Sequence, residues 1–139
     1  MIILDTNVLS ALMHQAPNRN VIDWLDNQPR TSIWTTSVTV FEIRFGLQVM
    51  PLGKRRLLLM HAFEQLLLEQ IGQRVAPFDS NAAFQAGDLM AKRHKSGHPG
   101  DVRDTMIAGI VLASHAMLAT RNTRHFDDLS IPVVDPWAN

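Results

Sequence analysis

Three acidic side chains stand at positions where acids can do chemistry. Asp5 closes a short apolar run, Ile2-Ile3-Leu4. Glu42 lies in a stretch of helical period after a second apolar run, and Asp104 follows Asp101 by three residues at what reads as a helix start. Gathered carboxylates are hard oxygen donors suited to Mg²⁺ or Mn²⁺. An ion held in that way orients a water, sharpens its acidity and offsets negative charge on a phosphodiester in the transition state. Without the ion, close carboxylates repel and some take up protons. Each acid also has a plainer reading. Asp5 can cap the helix that follows it, Glu42 can be an exposed helical residue, and Asp104 can pair with Asp101 as a helix-start device. The three are far apart along the chain, so only a fold can bring them together.

The elements that must do so follow from hydrophobic period and punctuation. Residues 2–4 read as a buried strand. Thr6 and Asn7 are good cap residues for a short helix carrying Val8, Leu9 and Leu12, which ends before Pro17. A second helix runs from about Asn18 to Gln28, and Ile33 to Thr35 form a second strand. From Ser37 a helix follows, with Val38, Phe41 and Phe45 on one face and Val49 extending it. After Pro51 and Gly53, a long helix spans about Lys54 to Ile71 and stops at Gly72. Its basic first turn has the wrong sign for the helix dipole. It is read either as a solvated end or as a surface facing something anionic. Val75 to Phe78 form a third strand, Ser80 caps a helix that stops near Gly97, and Asp101 opens another through His115. Met117 to Thr120 and Val133-Val134 are the fourth and fifth strands. Short apolar strands alternating with helices predict an α/β domain, with a mostly parallel sheet of roughly five strands covered on both faces. Ligands of such sheets bind beyond the carboxyl ends of the strands. Asp5 and the Arg121-Asn122 pair both fall at such ends.

Composition is compatible with that chemistry and excludes others. A chain of 139 residues, 46% hydrophobic and 19% charged, suits one globular domain over residues 1–139. Thirteen basic and thirteen acidic residues cancel, so no global positive field advertises a nucleic-acid partner. Cysteine is absent, which removes disulfides and thiolate metal sites. The amino terminus has neither a basic flank nor a long apolar run, so neither a signal peptide nor a membrane span is expected, and the cytoplasm is the expected compartment. No glycine-rich dinucleotide or phosphate loop and no Gly-x-Ser-x-Gly elbow occurs. His94 and His98 have the spacing of a zinc pair, but Gly97 and Pro99 break the helix there. His115 and His125 read as solvated or core residues. Trp24, Trp34 and Trp137 read as core or interface residues, and a base-stacking platform is not expected from so few aromatic residues.

Four segments in order resemble the motifs of PIN-domain ribonucleases, specifically the toxins of VapBC-type toxin–antitoxin pairs. They are Ile3-Leu4-Asp5-Thr6-Asn7-Val8, Ser37 to Ile43 around Glu42, Arg103-Asp104-Thr105-Met106-Ile107-Ala108-Gly109, and Leu118 to Phe126. The ending Asp135-Pro136-Trp137 is similar to a subgroup called FitB-like. The resemblance implies a single PIN domain, an α/β/α sandwich acting as a homodimeric, Mg²⁺- or Mn²⁺-dependent endoribonuclease. Its metal-binding and catalytic acids would be Asp5, Glu42 and Asp104. Asn122 stands where many relatives carry an Asp; an amide oxygen can hold a water but brings no charge, which favours one tightly held ion over two. Thr6 would support the site by hydrogen bonding, and Arg121 or Arg124 would contact phosphate. A cognate VapB-like antitoxin is implied as well, inserting an amphipathic helix into an apolar groove and binding operator DNA on behalf of the complex. The rival expectations are a PIN-like nuclease that processes RNA or acts on DNA, and a PIN-like module that binds without cutting.

Overall fold

The computed structural model describes residues 1–138. Its five strands are β1 (Ile2–Leu4), β2 (Ile33–Thr36), β3 (Val75–Ala76), β4 (Met117–Ala119) and β5 (Val133–Val134). All neighbours pair parallel, in the order β3-β2-β1-β4-β5. Register is set by Ile3 opposite Trp34 on one side and Leu118 on the other. The chain leaves the central strand toward β2 and β3, then returns to lay β4 on β1's other edge. The β1–β4 crevice is therefore the point where strand order reverses, the usual ligand position in such sheets.

Six helices cover the sheet: α1 (Thr6–Leu12), α2 (Arg19–Asp26), α3 (Ser37–Val49), α4 (Lys54–Gln65), α5 (Ser80–Lys95) and α6 (Val102–Ser114). The two-residue period of β1 divides the core. Ile2 and Leu4 join Val8, Leu9, Val21 and Phe63 on one face, whereas Ile3 joins Ile107, Ile110, Val111 and Leu118 on the other. No helix among the described residues is long and apolar enough to cross a membrane.

Caps explain most departures from the sequence reading. Asp5, not Thr6 or Asn7, caps α1, its Oδ1 accepting the Thr6 N–H at 2.8 Å. Asp79, not Ser80, caps α5 through the Ala82 N–H. The third strand stops at Ala76 because Pro77 has no N–H for the ladder, and the Phe78 N–H bonds Ser37 Oγ instead. The long helix changes at Leu66–Ile71 into a π-helical turn. There Arg74 donates to the Gln70 and Ile33 carbonyls, and Gly72 takes the left-handed φ of 61° that ends it.

The face that helical period gives Val38, Phe41, Phe45 and Val49 in common is divided. On α3 the buried residues are Val38, Thr39, Ile43 and Leu47, while Phe41, Phe45 and Val49 are 63%, 57% and 63% exposed. Helical period locates a stripe but does not say which of two apolar stripes meets the sheet. Here the inward stripe includes Thr39, whose Oγ1 accepts from the buried Thr36 hydroxyl at 3.3 Å while its N–H is capped by that same oxygen.

Candidate active site

The carboxyl ends of β1 and β4 are joined by the Asp5 N–H, which donates to the Ala119 carbonyl at 2.9 Å. Asp5 is 3% exposed. Its Oδ2 accepts from Thr120 Oγ1 at 2.7 Å and from Asn7 Nδ2 at 3.3 Å. Burial, assisted by the negative charges of Asp104 and Glu42, pushes the carboxyl above its ordinary pKa, while the Thr120 and Thr6 hydrogen bonds pull the other way. Both other acids of interest are thus within electrostatic reach of Asp5, although they come from α3 and α6.

Thr6 ties two of them together. Its backbone N–H binds Asp5, and its hydroxyl lies 3.0 Å from Glu42 Oε1 and 2.9 Å from Thr39 Oγ1. Glu42 Oε2 faces the Arg103 guanidinium at 3.6 Å. Arg103 reaches Asp101 as well, and Asp101 is the cap of α6, its Oδ1 accepting the Arg103 and Asp104 N–H groups. Asp104 therefore sits in the first turn of α6, and its Oδ2 lies 3.0 Å from His125 Nδ1.

Behind it, the buried Arg93 of α5 makes a two-pronged pair with Asp128 and donates to Thr105 Oγ1 and the His125 carbonyl. That pairing holds the Asp128 carboxyl below the usual carboxylate range. It also fixes the short 3₁₀ turn Thr123–Phe126 on which His125 stands.

The fold thus brings Asp5, Glu42 and Asp104 to one end of the sheet. Asn122 is there too, exposed, its N–H bonded to Thr120 Oγ1. Arg121 and Arg124 do not converge: Arg121 lines a cleft with Asn7 and Trp137, whereas Arg124 lines one with Asp104 and His125. Sequence reading missed Asn7, Thr39, Arg103, Thr120 and His125 as partners of the acids. Thr120 and His125 had one available signal, their position just past a strand that ends beside Asp5.

A family model described as PIN domain matches residues 2–131. The chain belongs to the PIN-domain family. Its relatives by sequence include the VapC ribonuclease Y4jK of Sinorhizobium fredii, 39% identical over 99% of this chain and 98% of the relative. The plasmid stability protein StbB of Pseudomonas syringae pv. tomato is 37% identical over 99% of each. Among solved structures, FitAcB from Neisseria gonorrhoeae has a TM-score of 0.89 at 30% identity, covering 100% of both chains. PIN domain, ribonuclease class and VapC/FitB type are thereby shown together.

The donor set can be tested against a divalent ion. In charge and chemistry it fits: oxygen donors, no thiolate, and a desolvated Asp5 anion that its acidic neighbours disfavour. Among the described residues, however, no group of three acids or histidines converges into a ligand set. The arrangement suits an ion of the Mg²⁺ kind, which keeps several waters and takes only one or two carboxylates directly.

Proposed function

We propose that this PIN domain is the toxin of a type II toxin–antitoxin pair and cuts RNA internally at Asp5, Glu42 and Asp104. The observation that carries the reading is Asp5. Its carboxyl is pushed toward the neutral form chiefly by burial and further by two acids delivered from separate helices, an arrangement that lowers stability unless a cation is bound there. Asp5, with Glu42 or Asp104, would hold Mg²⁺, with Mn²⁺ as a substitute. When bound, the ion supplies charge neutralisation at the phosphodiester and acidifies water.

The chain's own groups do the rest. Thr6 Oγ1 holds Glu42 Oε1 in place, and the half-exposed Arg103 guanidinium beside Oε2 has donors left for a phosphate. His125 fixes Asp104 through Oδ2, leaving Oδ1 to accept a proton from the attacking water. Asn122 adds a neutral oxygen at the rim, and Arg124 adds a phosphate contact on the Asp104 side.

A VapB-like antitoxin and a second copy of the chain are the proposed protein partners, operator DNA being met only through the antitoxin and the cytoplasm being the setting. Their support is the apolar stripe Phe41, Phe45 and Val49, at i, i+4 and i+8 on α3, with Leu57 and Leu58 exposed on α4. The test is RNA cleavage by protein freed of antitoxin. Cleavage is expected with Mg²⁺ or Mn²⁺, to stop with EDTA, and to be lost in Asp5→Asn. Full activity in EDTA, or activity with Zn²⁺ alone, overturns the reading.

A further inference from the structure

Two clefts open on either side of the acids, and their linings differ in charge. The first, of about 470 Å³, is lined by Asp101, Asp104, Asp127 and Asp128 against Arg93 and Arg124, with His98 and His125, so its acids outnumber its arginines. The second, of about 380 Å³, is lined by Asn7, Ser10, His14, Asn18, Arg121 and Trp137, with no acidic side chain among its lining residues. A polyanionic strand leaving the acids meets less repulsion in the second.

That second cleft also contains a planar cation carried on an aromatic ring. The Arg121 guanidinium carbon lies over the Trp137 ring, 5.0 Å from its centroid. Arg121 is exposed and Trp137 half-buried, so the guanidinium keeps access to solvent while the indole is anchored in the protein. Anchoring comes from the Trp137 N–H on Asp135 Oδ1 at 2.9 Å and from Asn20 Nδ2 on the Trp137 carbonyl at 3.0 Å. The platform is registered to the acids by one side chain. Asn7 Oδ1 accepts the Arg121 N–H at 3.1 Å, and Asn7 Nδ2 donates to Asp5 Oδ2. Unpaired bases stack on aromatic rings and on arginine planes, and Ser10, His14 and Asn18 offer hydrogen-bonding groups around a base edge.

Building on the ribonuclease reading, we propose that Arg121 and Trp137 form a nucleobase platform. It seats the base of one nucleotide flanking the cut and so helps choose where a single strand is cleaved. This assigns Arg121 a base, where the sequence had offered it a phosphate.

The experiment removes the base and keeps the phosphate. Digestion of total RNA by wild-type protein with Mg²⁺ locates a cut, and a single-stranded oligonucleotide spanning it is synthesised. Nucleotides on either side are then replaced one at a time by abasic residues. At one position the abasic change should lower wild-type kcat/KM by about tenfold. Arg121→Lys, which keeps the charge and loses the plane, should lower kcat/KM on intact RNA by a similar factor and show no added loss on that abasic RNA. Trp137→Leu should do the same. Because Trp137 also packs on the core, Arg121→Lys carries the test alone if the melting temperature of Trp137→Leu falls. Equal losses for Arg121→Lys on intact and abasic RNA at every position indicate a phosphate contact and overturn the platform, as does a wild-type rate on intact RNA. A wild-type protein that cuts no RNA overturns the ribonuclease reading and the platform together.

Discussion

The two helical pairs flanking the sheet differ in how completely they finish themselves. Between α5 and α6 the packing is closed. Gly109 lies so near α5 that an added Cβ would stand 2.5 Å from the Ala82 carbonyl oxygen, and Arg93 is buried with every prong engaged. Across α3 and α4 the opposite holds: Phe41, Phe45, Val49, Leu57 and Leu58 face solvent. The first pair carries Asp104 and the second carries Glu42, so one side of the site is fixed from within and the other is built on an apolar surface left for a partner. Phe84 on α5 and Val102 at the start of α6 are the exposed exceptions on the closed side among the described residues. Precision in positioning an acid and availability for association have been assigned to different helices.

Breaking the closed half should produce the largest effect. Arg93→Met leaves Asp128 and the His125 carbonyl without their shared donor. Because Asp128 is partly exposed, the expected loss is about 2–4 kcal/mol, below that for a fully buried pair, read by urea unfolding. A loss under about 0.5 kcal/mol, the usual range of an inconsequential surface change, would show that the pair is decorative. Gly109→Ala forces α6 off α5 and should destabilise by about 1–3 kcal/mol while slowing cleavage, since α6 carries Asp104. Its counterpart is Gly46→Ala on α3, where nothing lies within 4 Å of the new Cβ. Helix propensity alone then operates, and a gain of about 0.5–1 kcal/mol is expected. Equal responses from the two glycines would erase the contrast between the halves.

Asp5 sits between the halves, and its response to pH tests the electrostatics. Its folded-state pKa is raised, chiefly by burial and then by Asp104 and Glu42. Below the ordinary Asp value of about 3.9 the group is neutral in both states and imposes no penalty. As pH rises through the folded value the buried anion forms, and that part of the stability is lost. In metal-free protein, Asp5→Asn should therefore melt higher than wild type at neutral pH, the difference closing as pH falls below the ordinary value. The Thr120 hydroxyl would then accept from the amide while Asn7 Nδ2 loses its acceptor, so the rise is smaller than removal of the buried charge alone would give. Added Mg²⁺ should raise the melting temperature of wild type and leave Asp5→Asn unmoved. A variant that melts lower than wild type at pH 7 in EDTA would contradict the burial argument.

How much of this was legible in the sequence depends on the range of the interaction that decides it. The strand–helix alternation, the parallel sheet and Asp5 at the end of β1 follow from local period and punctuation, and they match the fold. The gathering of Glu42 and Asp104 around Asp5 is not a local property, and motif resemblance alone pointed to it. His125 reads as solvated or core because its partner Asp104 is 21 positions away, beyond the reach of any local pattern. The period of α3 groups Val38 with Phe41 and Phe45, but period does not display which of two apolar stripes meets the sheet. Arg121 and Trp137 meet across the β5 segment, a contact that composition cannot reveal.

The exposed stripe of α3 gives the smallest expected effect on the folded chain and the sharpest contrast with its own reverse side. Phe41→Ser and Phe45→Ser, made together, remove apolar surface that is already in water. They leave the core residues Ile43 and Leu47 untouched. Stability at concentrations where the chain is monomeric should change by no more than about 0.5 kcal/mol per site. On the opposite face of the same helix, Ile43→Val is a smaller chemical change yet should destabilise by about 0.5–1.5 kcal/mol, because the methyl it loses is packed. Association should show the reverse order. Wild type is expected to run as a dimer in light scattering and to melt at a temperature that rises with protein concentration, since a partner that binds only the folded state stabilises it by mass action. The double serine variant should run as a monomer or lose retention of co-expressed antitoxin, and its melting should become independent of concentration for whichever contact is lost. Ile43→Val should keep both associations. A serine variant that stays dimeric, holds the antitoxin and melts like wild type at every concentration would mean that this stripe is merely exposed, and that the site's Glu42 side is as self-sufficient as its Asp104 side.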